Sequence, residues 1–431
     1  MNRAVPLHLR EKGFSGVAAS VRGFSDGEDP GAAAPDLKEV QFLVSAGEAS
    51  GDLYAAGVVR HLSAALPSAG FYGCAGPRLQ AAGVQPVIDS ASIAVVGLAE
   101  VLGHLPRIYG QYRKLVRFAE QHHPQAALLT DSPDFHLRLA GHLKRLNVPV
   151  FYLVAPQVWA WRPGRVQTIR RVVDKLFCLF PFEQAWFRER GVDATYIGHP
   201  LASMVRVKSA RDEFFARHGL PNDSRLVVLL PGSRVGEARR HLPILLEAVS
   251  QLRRRFALSA VLAIPAGFRT HEAFSKYRER IHALSIQVIE NETWDCIGHA
   301  DLALAASGTV TIEAAVLGTP MVTFYRVNPV SWYGARHLVK APFFSMVNLI
   351  AGRQVVPELI QQDMTPEKIA AAAEPLLTSS TRADRMRTDL AAVRAQLCSE
   401  AGDPLGRAAG MIVQACGTQP GVRDLIQETI S

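Results

Sequence analysis

The chain has 431 residues, 48% of them hydrophobic, with 47 Lys and Arg against 39 Asp and Glu for a net charge of +8. This size and apolar content suit two domains with substantial cores, and the absence of an uncharged apolar run of about 18 residues argues against a membrane-spanning helix. Five scattered cysteines (Cys74, Cys178, Cys296, Cys398, Cys416) with no Cys-x-x-Cys pair argue against a disulfide framework or a zinc site. The basic balance favours an anionic partner, but no Lys/Arg tract interleaved with aromatics points to nucleic acid.

Residues 1–38 differ from the rest: rich in Ser, Gly and Ala, they read as a disordered or targeting extension. From residue 39 short apolar runs alternate with helical patterns. "VQFLVSA" (40–46), "AALLTD" (126–131), "VPVFYLVA" (148–155), "KLFCLF" (175–180) and "ATYIGH" (194–199) read as buried strands, with helices over 52–66, 107–121 and 136–146. The pattern restarts with "RLVVLLPGS" (225–233), "SAVLAIPA" (259–266), "IQVIE" (286–290), "DLALAAS" (301–307) and "TPMVTFY" (319–325). Apolar strands alternating with helices imply parallel sheets covered on both faces. The expectation is therefore two doubly wound α/β domains, 39–200 and 201–400, facing a cleft, with a crossover at 198–214 and a tail from 401. Ligands of such sheets sit beyond the carboxyl ends of the strands, so the strand-to-helix turns are where chemistry is expected.

The first turn, Ala46-Gly47-Glu48-Ala49-Ser50-Gly51-Asp52, carries two glycines and two acids. Ser50 as a cap and Asp52 in a first helical turn would account for part of it. "VVGLAEVLGHLPRIYGQYRKLVRF" (95–118) is apolar, then basic. Val101, Leu102 and Leu105 with Arg107, Arg113, Lys114 and Arg117 fit either an interfacial segment that dips into lipid headgroups or a core-packed helix with a solvated basic face. "LLTDSPDFHLRLA" (128–140) ends a strand with Asp131 and Asp134. One of these acids can serve as a general base; capping by Asp131 or Ser132, with Pro133 at the first helical position, explains one acid better than both. "VAPQVWAWRPGRVQTIRR" (154–171) combines Trp159 and Trp161 with Arg162, Arg165, Arg170 and Arg171, a patch suited to an acyl or phosphate group. His199, at the crossover, reads as structural; no histidine spacing suits a metal, and no cofactor is expected.

In the second half, Pro231-Gly232-Ser233-Arg234 opens a helix. Gly232 allows close approach, Ser233 can cap, the helix N-terminus favours an anion and Arg234 can grip a phosphate, although a tight turn with a solvated Arg fits as well. Ser307-Gly308-Thr309 repeats the arrangement, with Glu313 in the early helix suited to a ribose diol. Together the two turns look like a sugar-nucleotide diphosphate site; neither the P-loop nor the Gly-x-Gly-x-x-Gly pattern is present.

"AGEASGD", "DSPDF", "APQVWAWR", "GHPLAS", "LLPGSR..E", "ASGTVTIEAAVLGTPMV" and "AGRQVVPELIQ", in this order over roughly residues 40–395, resemble the lipid A disaccharide synthase family. The resemblance implies an inverting, metal-independent GT-B glycosyltransferase with two Rossmann-like domains. It would join UDP-2,3-diacylglucosamine to 2,3-diacylglucosamine 1-phosphate (lipid X), giving the lipid A disaccharide phosphate and UDP. It also implies a peripheral location on the cytoplasmic face of the inner membrane and a possible homodimer. Carried over by motif, Asp134 is first choice as general base, Asp131 second, and Glu48 orients the acceptor. Gly232, Ser233 and Arg234 would hold the diphosphate, Ser307, Gly308 and Thr309 the phosphate or uridine, and Glu313 the ribose, with Asn348 and Arg353 lining the same cleft. Trp159, Trp161, Arg162, Arg107 and Arg113 would face acceptor or membrane. The family's acidic motif usually continues with Asn, where this chain has His136. The alternatives are another GT-B enzyme (a non-lipid hexosaminyltransferase or a UDP-N-acetylglucosamine 2-epimerase) or a non-catalytic sugar-nucleotide or lipid binder; an epimerase has no need of the 95–118 segment, nor a binder of two acids at 131 and 134.

Overall fold

A computed structural model describes residues 40–93, 98–328, 332, 341–398, 402–417 and 422, and side chains within these except for 98–105, 272 and 273. The extension at 1–38 and the side chains of Val101, Leu102 and Leu105 therefore lie outside the described residues.

Seven parallel strands form the first sheet: β1 (Gln41–Ala46), β2 (Gly70–Ala75), β3 (Gln85–Asp89), β4 (Ala126–Thr130), β5 (Val150–Leu153), β6 (Lys175–Cys178) and β7 (Ala194–Tyr196). Their spatial order is β3-β2-β1-β4-β5-β6-β7. Six more form the second: β8 (Arg225–Leu230), β9 (Leu258–Ile264), β10 (Gln287–Glu290), β11 (Leu302–Ala306), β12 (Met321–Tyr325) and β13 (Glu358–Ile360), in the order β10-β9-β8-β11-β12-β13. Most of these strands are buried along nearly their whole length because helices cover both faces, which is why they read as continuous apolar runs. Each sheet has one core on its own outer helices, gathered around Leu129, Leu139 and Tyr152 in the first and Leu229, Leu245 and Leu262 in the second. A third, continuous core runs from Val44 and Val58 through Phe180 and Phe214 to Leu230 and Ile312, joining the two sheets.

The strand order fixes where a ligand can enter. In the first sheet successive strands run one way from β1 and the other way from β4, so the order reverses between them. In the second it reverses between β8 and β11. Such switch points leave a crevice beyond the strand ends. Register places Ala46 opposite Thr130 and Ala305 opposite Leu230, so each pair of turns starts level.

The helices that matter here are α1 (Ala49–Ala65), α2 (Leu98–His122), α3 (Pro133–Arg145), α4 (Val158–Trp161), α5 (Val235–Arg253), α6 (Thr309–Leu317), α7 (Met346–Ala351), α8 (Ser380–Leu397) and α9 (Pro404–Cys416). The sequence reading leaves 401–431 as a tail, but α9 returns to the first sheet and packs on α1. A Cβ on Gly57 of α1 would lie 2.3 Å from Leu405, and His61 pairs with Asp403 at 2.6 Å. Its Ala408, Ala409 and Ile412 are buried, so hydrophobic area holds it there.

Candidate functional site

At the first switch point the turns after β1 and β4 interlock. Asp131 and Ser132 both adopt left-handed backbone, φ 53° and 37°, at a cost of about 1–3 kcal/mol for such residues. The strain turns the Asp131 carboxylate back onto the neighbouring turn, where Oδ1 accepts from Gly47 N (2.8 Å) and Oδ2 from Glu48 N (3.1 Å). Neither Asp131 nor Ser132 caps α3, so the capping explanation of this acid does not hold; Ser132 occupies the cap position without a side-chain bond. The glycines of the first turn have a steric reason. A Cβ on Gly51 would sit 1.7 Å from Asp131 Oδ2, and one on Gly47 2.2 Å from Ser132 Oγ.

Asp52 is spent elsewhere, accepting from Gly76 N, Arg78 N and Leu79 N (2.9, 2.9 and 3.3 Å) at the start of the short helix Pro77–Ala81. Ser50 lies inside α1 and caps nothing; Glu48 holds the cap position.

His136 takes the place of the family's Asn. It is fully buried, with Nδ1 2.9 Å from the Asp131 carbonyl and Nε2 2.7 Å from Ser45 Oγ. A carbonyl only accepts, so Nδ1 donates and Nε2 receives the Ser45 hydroxyl. Burial lowers its pKa to about 4, keeping the ring neutral. His136 thus ties β1 to the strained turn that aims Asp131.

Burial also pushes the Asp131 carboxyl up, to about 7; the nearby Glu48 charge adds to this, and the Gly47 and Glu48 amides and the Ser132 hydroxyl oppose it. Asp134 differs. It is 67% exposed and held by Arg165, with Arg162 at 3.8 Å. These two arginines flank Trp161, 38% exposed, with guanidinium carbons 4.3 and 5.9 Å from its ring centre. Trp159 turns inward instead: its Nε1 donates to buried Glu183 (3.2 Å), whose carboxyl burial raises to about 8. Trp159 is thus half-buried, with its polar edge spent on Glu183.

The second switch point carries the other half. Gly232 has φ +115°, and a Cβ there would stand 2.7 Å from Glu237 Oε2, so the turn requires glycine. Ser233 is exposed and does not cap α5; Arg234 holds the cap position, and its side chain makes no bond to the helix's backbone amides. Across the sheet, Gly308 and Thr309 are exposed at the start of α6, while Ser307 Oγ donates to the Phe344 carbonyl (2.9 Å). Two helix N-termini thus open side by side, an arrangement that attracts anions. Burial raises Glu313 to about 7, opposed by a bond from Trp294. Its charge is felt by Tyr54 of α1, from the opposite sheet.

The halves meet directly. Arg234 reaches across to Glu48 at 3.3 Å while holding Glu237 at 3.2 Å. Two residues of the expected set lie apart from this meeting point. Asn348 is fully buried and uses both ends of its amide on the chain, donating to Val356 O and Glu358 and accepting from Val355 N and Val356 N; it braces the 355–358 segment and is closed to a ligand. Arg353 is spent on Asp389 of α8 at 2.6 Å. Arg107 and Arg113 are exposed along α2, whose outermost ring, Tyr109, is 61% exposed. His199 is buried and edge-on to Tyr54 at 6.1 Å; its Nδ1 accepts from Leu201 N, and burial lowers it to about 3, in keeping with a structural role. Sequence reasoning left Glu237, Tyr325, Tyr54 and Glu183 without roles. Of these only Glu237 had a signal, its fixed place three residues after Arg234.

Two parallel α/β sheets whose switch points face each other, one with two exposed helix starts beside Arg234 and the other with carboxylates, define a GT-B protein. Solved structures of this architecture agree at the level of fold. A UDP-GlcNAc 2-epimerase from Neisseria meningitidis, bound to UDP-GlcNAc, matches with TM-score 0.58 at 12% identity, covering 87% of this chain and 99% of its own. The glycotransferase of kitacinnamycin matches at 0.59 and 16%, covering 88% and 99%. Sequence narrows the class. The family model for lipid-A-disaccharide synthetase matches residues 42–402. The lipid-A-disaccharide synthase of Solibacter usitatus is 57% identical over 369 residues, 86% of this chain and 96% of the relative. That of Geobacter sulfurreducens is 38% identical over 384 residues, 88% and 98%. The chain belongs to the lipid-A-disaccharide synthase family of glycosyltransferases, which condenses UDP-diacylglucosamine with lipid X in lipid A biosynthesis.

Proposed function

We propose that this chain transfers a diacylglucosaminyl group from UDP to the 6-hydroxyl of a diacylglucosamine 1-phosphate, with Asp131 as general base. The acceptor O6 attacks the anomeric carbon as Asp131 takes its proton. The bond from that carbon to the diphosphate breaks, and the electron pair leaves on UDP, whose charge Arg234 and the amides at the starts of α5 and α6 receive. Attack from the face opposite the leaving group inverts the anomeric centre. No group beyond these is required, because the work is orientation and stabilisation of the departing charge.

The observation that carries the reading is the Glu48–Arg234 contact, 3.3 Å, which brings the acid-bearing turn to the anion-binding turn. Asp131 is preferred to Asp134 on physical grounds. A carboxyl raised to about 7 by burial is a competent base near neutral pH, whereas the exposed Asp134 carboxylate is already occupied by Arg165 and Arg162. Glu313, in the early turns of α6, is a carboxylate suited to a ribose diol, and the exposed Trp161 under Arg162 is a cationic aromatic edge suited to the acceptor. Incubation with both substrates, followed by mass spectrometry, should give the disaccharide phosphate and UDP from the native chain and almost none from Asp131→Asn. Release of UDP with free sugar, or an epimerised donor, would instead favour a different GT-B activity.

The exposed cations Arg107, Arg113, Lys114 and Arg117 on α2, with Tyr109 outermost, support docking of this face on an anionic bilayer, where the substrates' acyl chains reside. Among the described residues no helix is long and apolar enough to cross a membrane. Sedimentation with anionic vesicles that is lost on Arg107→Glu plus Arg113→Glu would fit this docking; equal sedimentation of the variant would refute it.

A further inference from the structure

Arg234 has two carboxylate partners of different kinds. Glu48 comes from the opposite sheet and is 49% exposed; Glu237 comes from the first turn of the helix that Arg234 begins and is 10% exposed. Tyr325, the last residue of β12, donates its hydroxyl to the same Glu237 oxygen that Arg234 holds, at 3.0 Å. Burial and the neighbouring carboxylate push that hydroxyl up to about 12, so it stays a donor. One helical turn on, His241 is buried with Nδ1 on the Pro231 carbonyl (2.8 Å), and its Nε2 accepts from Arg326 N (3.1 Å). Glu237 and His241 therefore both brace the Pro231–Arg234 turn from behind, tying it to the end of β12.

We propose that Glu237, itself fixed by Tyr325, is the positioning residue that aims Arg234 at the donor's diphosphate. This deepens the functional reading above and rests on Arg234 receiving that diphosphate. An acid placed behind an anion site needs a reason, because its charge repels the ligand. Here the reason is geometric. A long guanidinium side chain that must cross a cleft loses rotamer freedom on binding, and holding it beforehand removes that loss from the binding step. Glu48 serves this end less well, since it comes from the opposite sheet and is 49% exposed. Gly232 completes the device, as any side chain there would strike the Glu237 carboxylate.

Charge and positioning predict opposite signs. Were Glu237 only a nearby negative charge, Glu237→Gln would tighten UDP binding. Acting through Arg234, the substitution should weaken it by about tenfold in calorimetry, the usual size of a charge-assisted bond. Tyr325→Phe, which keeps the carboxylate but frees it, should weaken binding by about threefold. The decisive comparison is in the Arg234→Ala background: there Glu237→Gln should cause no further loss, because the group it orients is gone. Equal weakening in both backgrounds, or unchanged or tighter binding in the native background, overturns the proposal. Should Glu237→Gln fail to fold, as judged by its melting curve, the same cycle run with Tyr325→Phe decides. Native UDP affinity in Arg234→Ala alone would remove the diphosphate reading, and the positioning role with it; weakening in that variant without an effect of Glu237→Gln or Tyr325→Phe would remove the positioning role only.

Discussion

Replacing Asp131 by Asn should lower activity and, at alkaline pH, raise stability. The carboxyl moves from 3.8 to about 7 on folding, with burial as the main cause. Each unit corresponds to about 1.4 kcal/mol, so the folded chain disfavours the charged form by roughly 4 kcal/mol at most. The folded pKa lies above the unfolded one, so this contribution is fully present below pH about 4 and is lost as pH rises towards 7. Asn carries no charge and escapes that loss. It can, however, accept from only one of the Gly47 and Glu48 amides, and facing its own NH2 to the other costs about 1–2 kcal/mol. The variant should therefore melt below the native chain at pH 4 and above it at pH 8, by a few degrees. Turnover should fall by about 10²–10⁴, the usual worth of a positioned base. The native kcat/KM should climb with pH through a limb near 7, since the base works deprotonated, and Asp131→Asn should lose that limb. Melting curves and initial rates between pH 4 and 9 give both readouts. A native rate flat between pH 6 and 8, or a variant within tenfold of native turnover, would remove Asp131 from proton transfer; parallel melting profiles would refute the burial argument.

Gly51→Ala must displace the Asp131 carboxylate, because the new Cβ stands 1.7 Å from its oxygen; turnover should drop about 100-fold with UDP affinity unchanged by calorimetry, and loss of UDP binding would contradict the division of labour between the turns. Asp134→Asn breaks an exposed pairing with Arg165 and Arg162 and should leave turnover within about tenfold; a loss above 1,000-fold would return the base role to Asp134. His136→Asn keeps a donor for the Asp131 carbonyl and should retain most activity, whereas His136→Leu, which removes the Ser45 contact and leaves that carbonyl only the Tyr152 hydroxyl, should lose it together with about 1–2 kcal/mol of stability; equal behaviour of the two variants in denaturant melts and rate assays would refute the tether. The ascending limb of kcat should lie above that of kcat/KM, because the bound diphosphate brings negative charge towards Asp131; coincident limbs would place the diphosphate elsewhere.

The two-sheet architecture was legible because parallel strands buried on both faces leave unbroken apolar runs. The strands that escaped notice are those without such runs. β2 has glycines at Gly70 and Gly73, β3 contains Pro86 and exposed residues, and β13 spans only Glu358–Ile360. The anion turn and the acids were legible as residue types at strand ends. Their division of labour was not, because it depends on backbone sign and burial. Asp131 and Asp134 are three residues apart, yet a left-handed turn sends one inward and leaves the other among arginines. Asn348 shows the converse error: a polar residue in a distinctive motif whose amide is wholly consumed by its own loop. Ser233 shows a second, since a serine before a helix does not cap it when the next residue takes the cap position.

Glu48 connects the two halves of the mechanism more closely than its exposure suggests. Its backbone amide binds the Asp131 carboxylate, its own carboxylate raises the Asp131 pKa, and its side chain holds Arg234. A diphosphate that captures Arg234 necessarily competes with Glu48 for the same guanidinium. As that competition succeeds, the Glu48 charge loses its cation and bears more fully on Asp131 one hydrogen bond away. Raising the proton affinity of a base makes it a stronger base. The strain at Asp131 and Ser132, the steric need for Gly51 and the Tyr325–Glu237 brace all follow from one requirement: both turns must be rigid enough for the charge of one to be felt by the other.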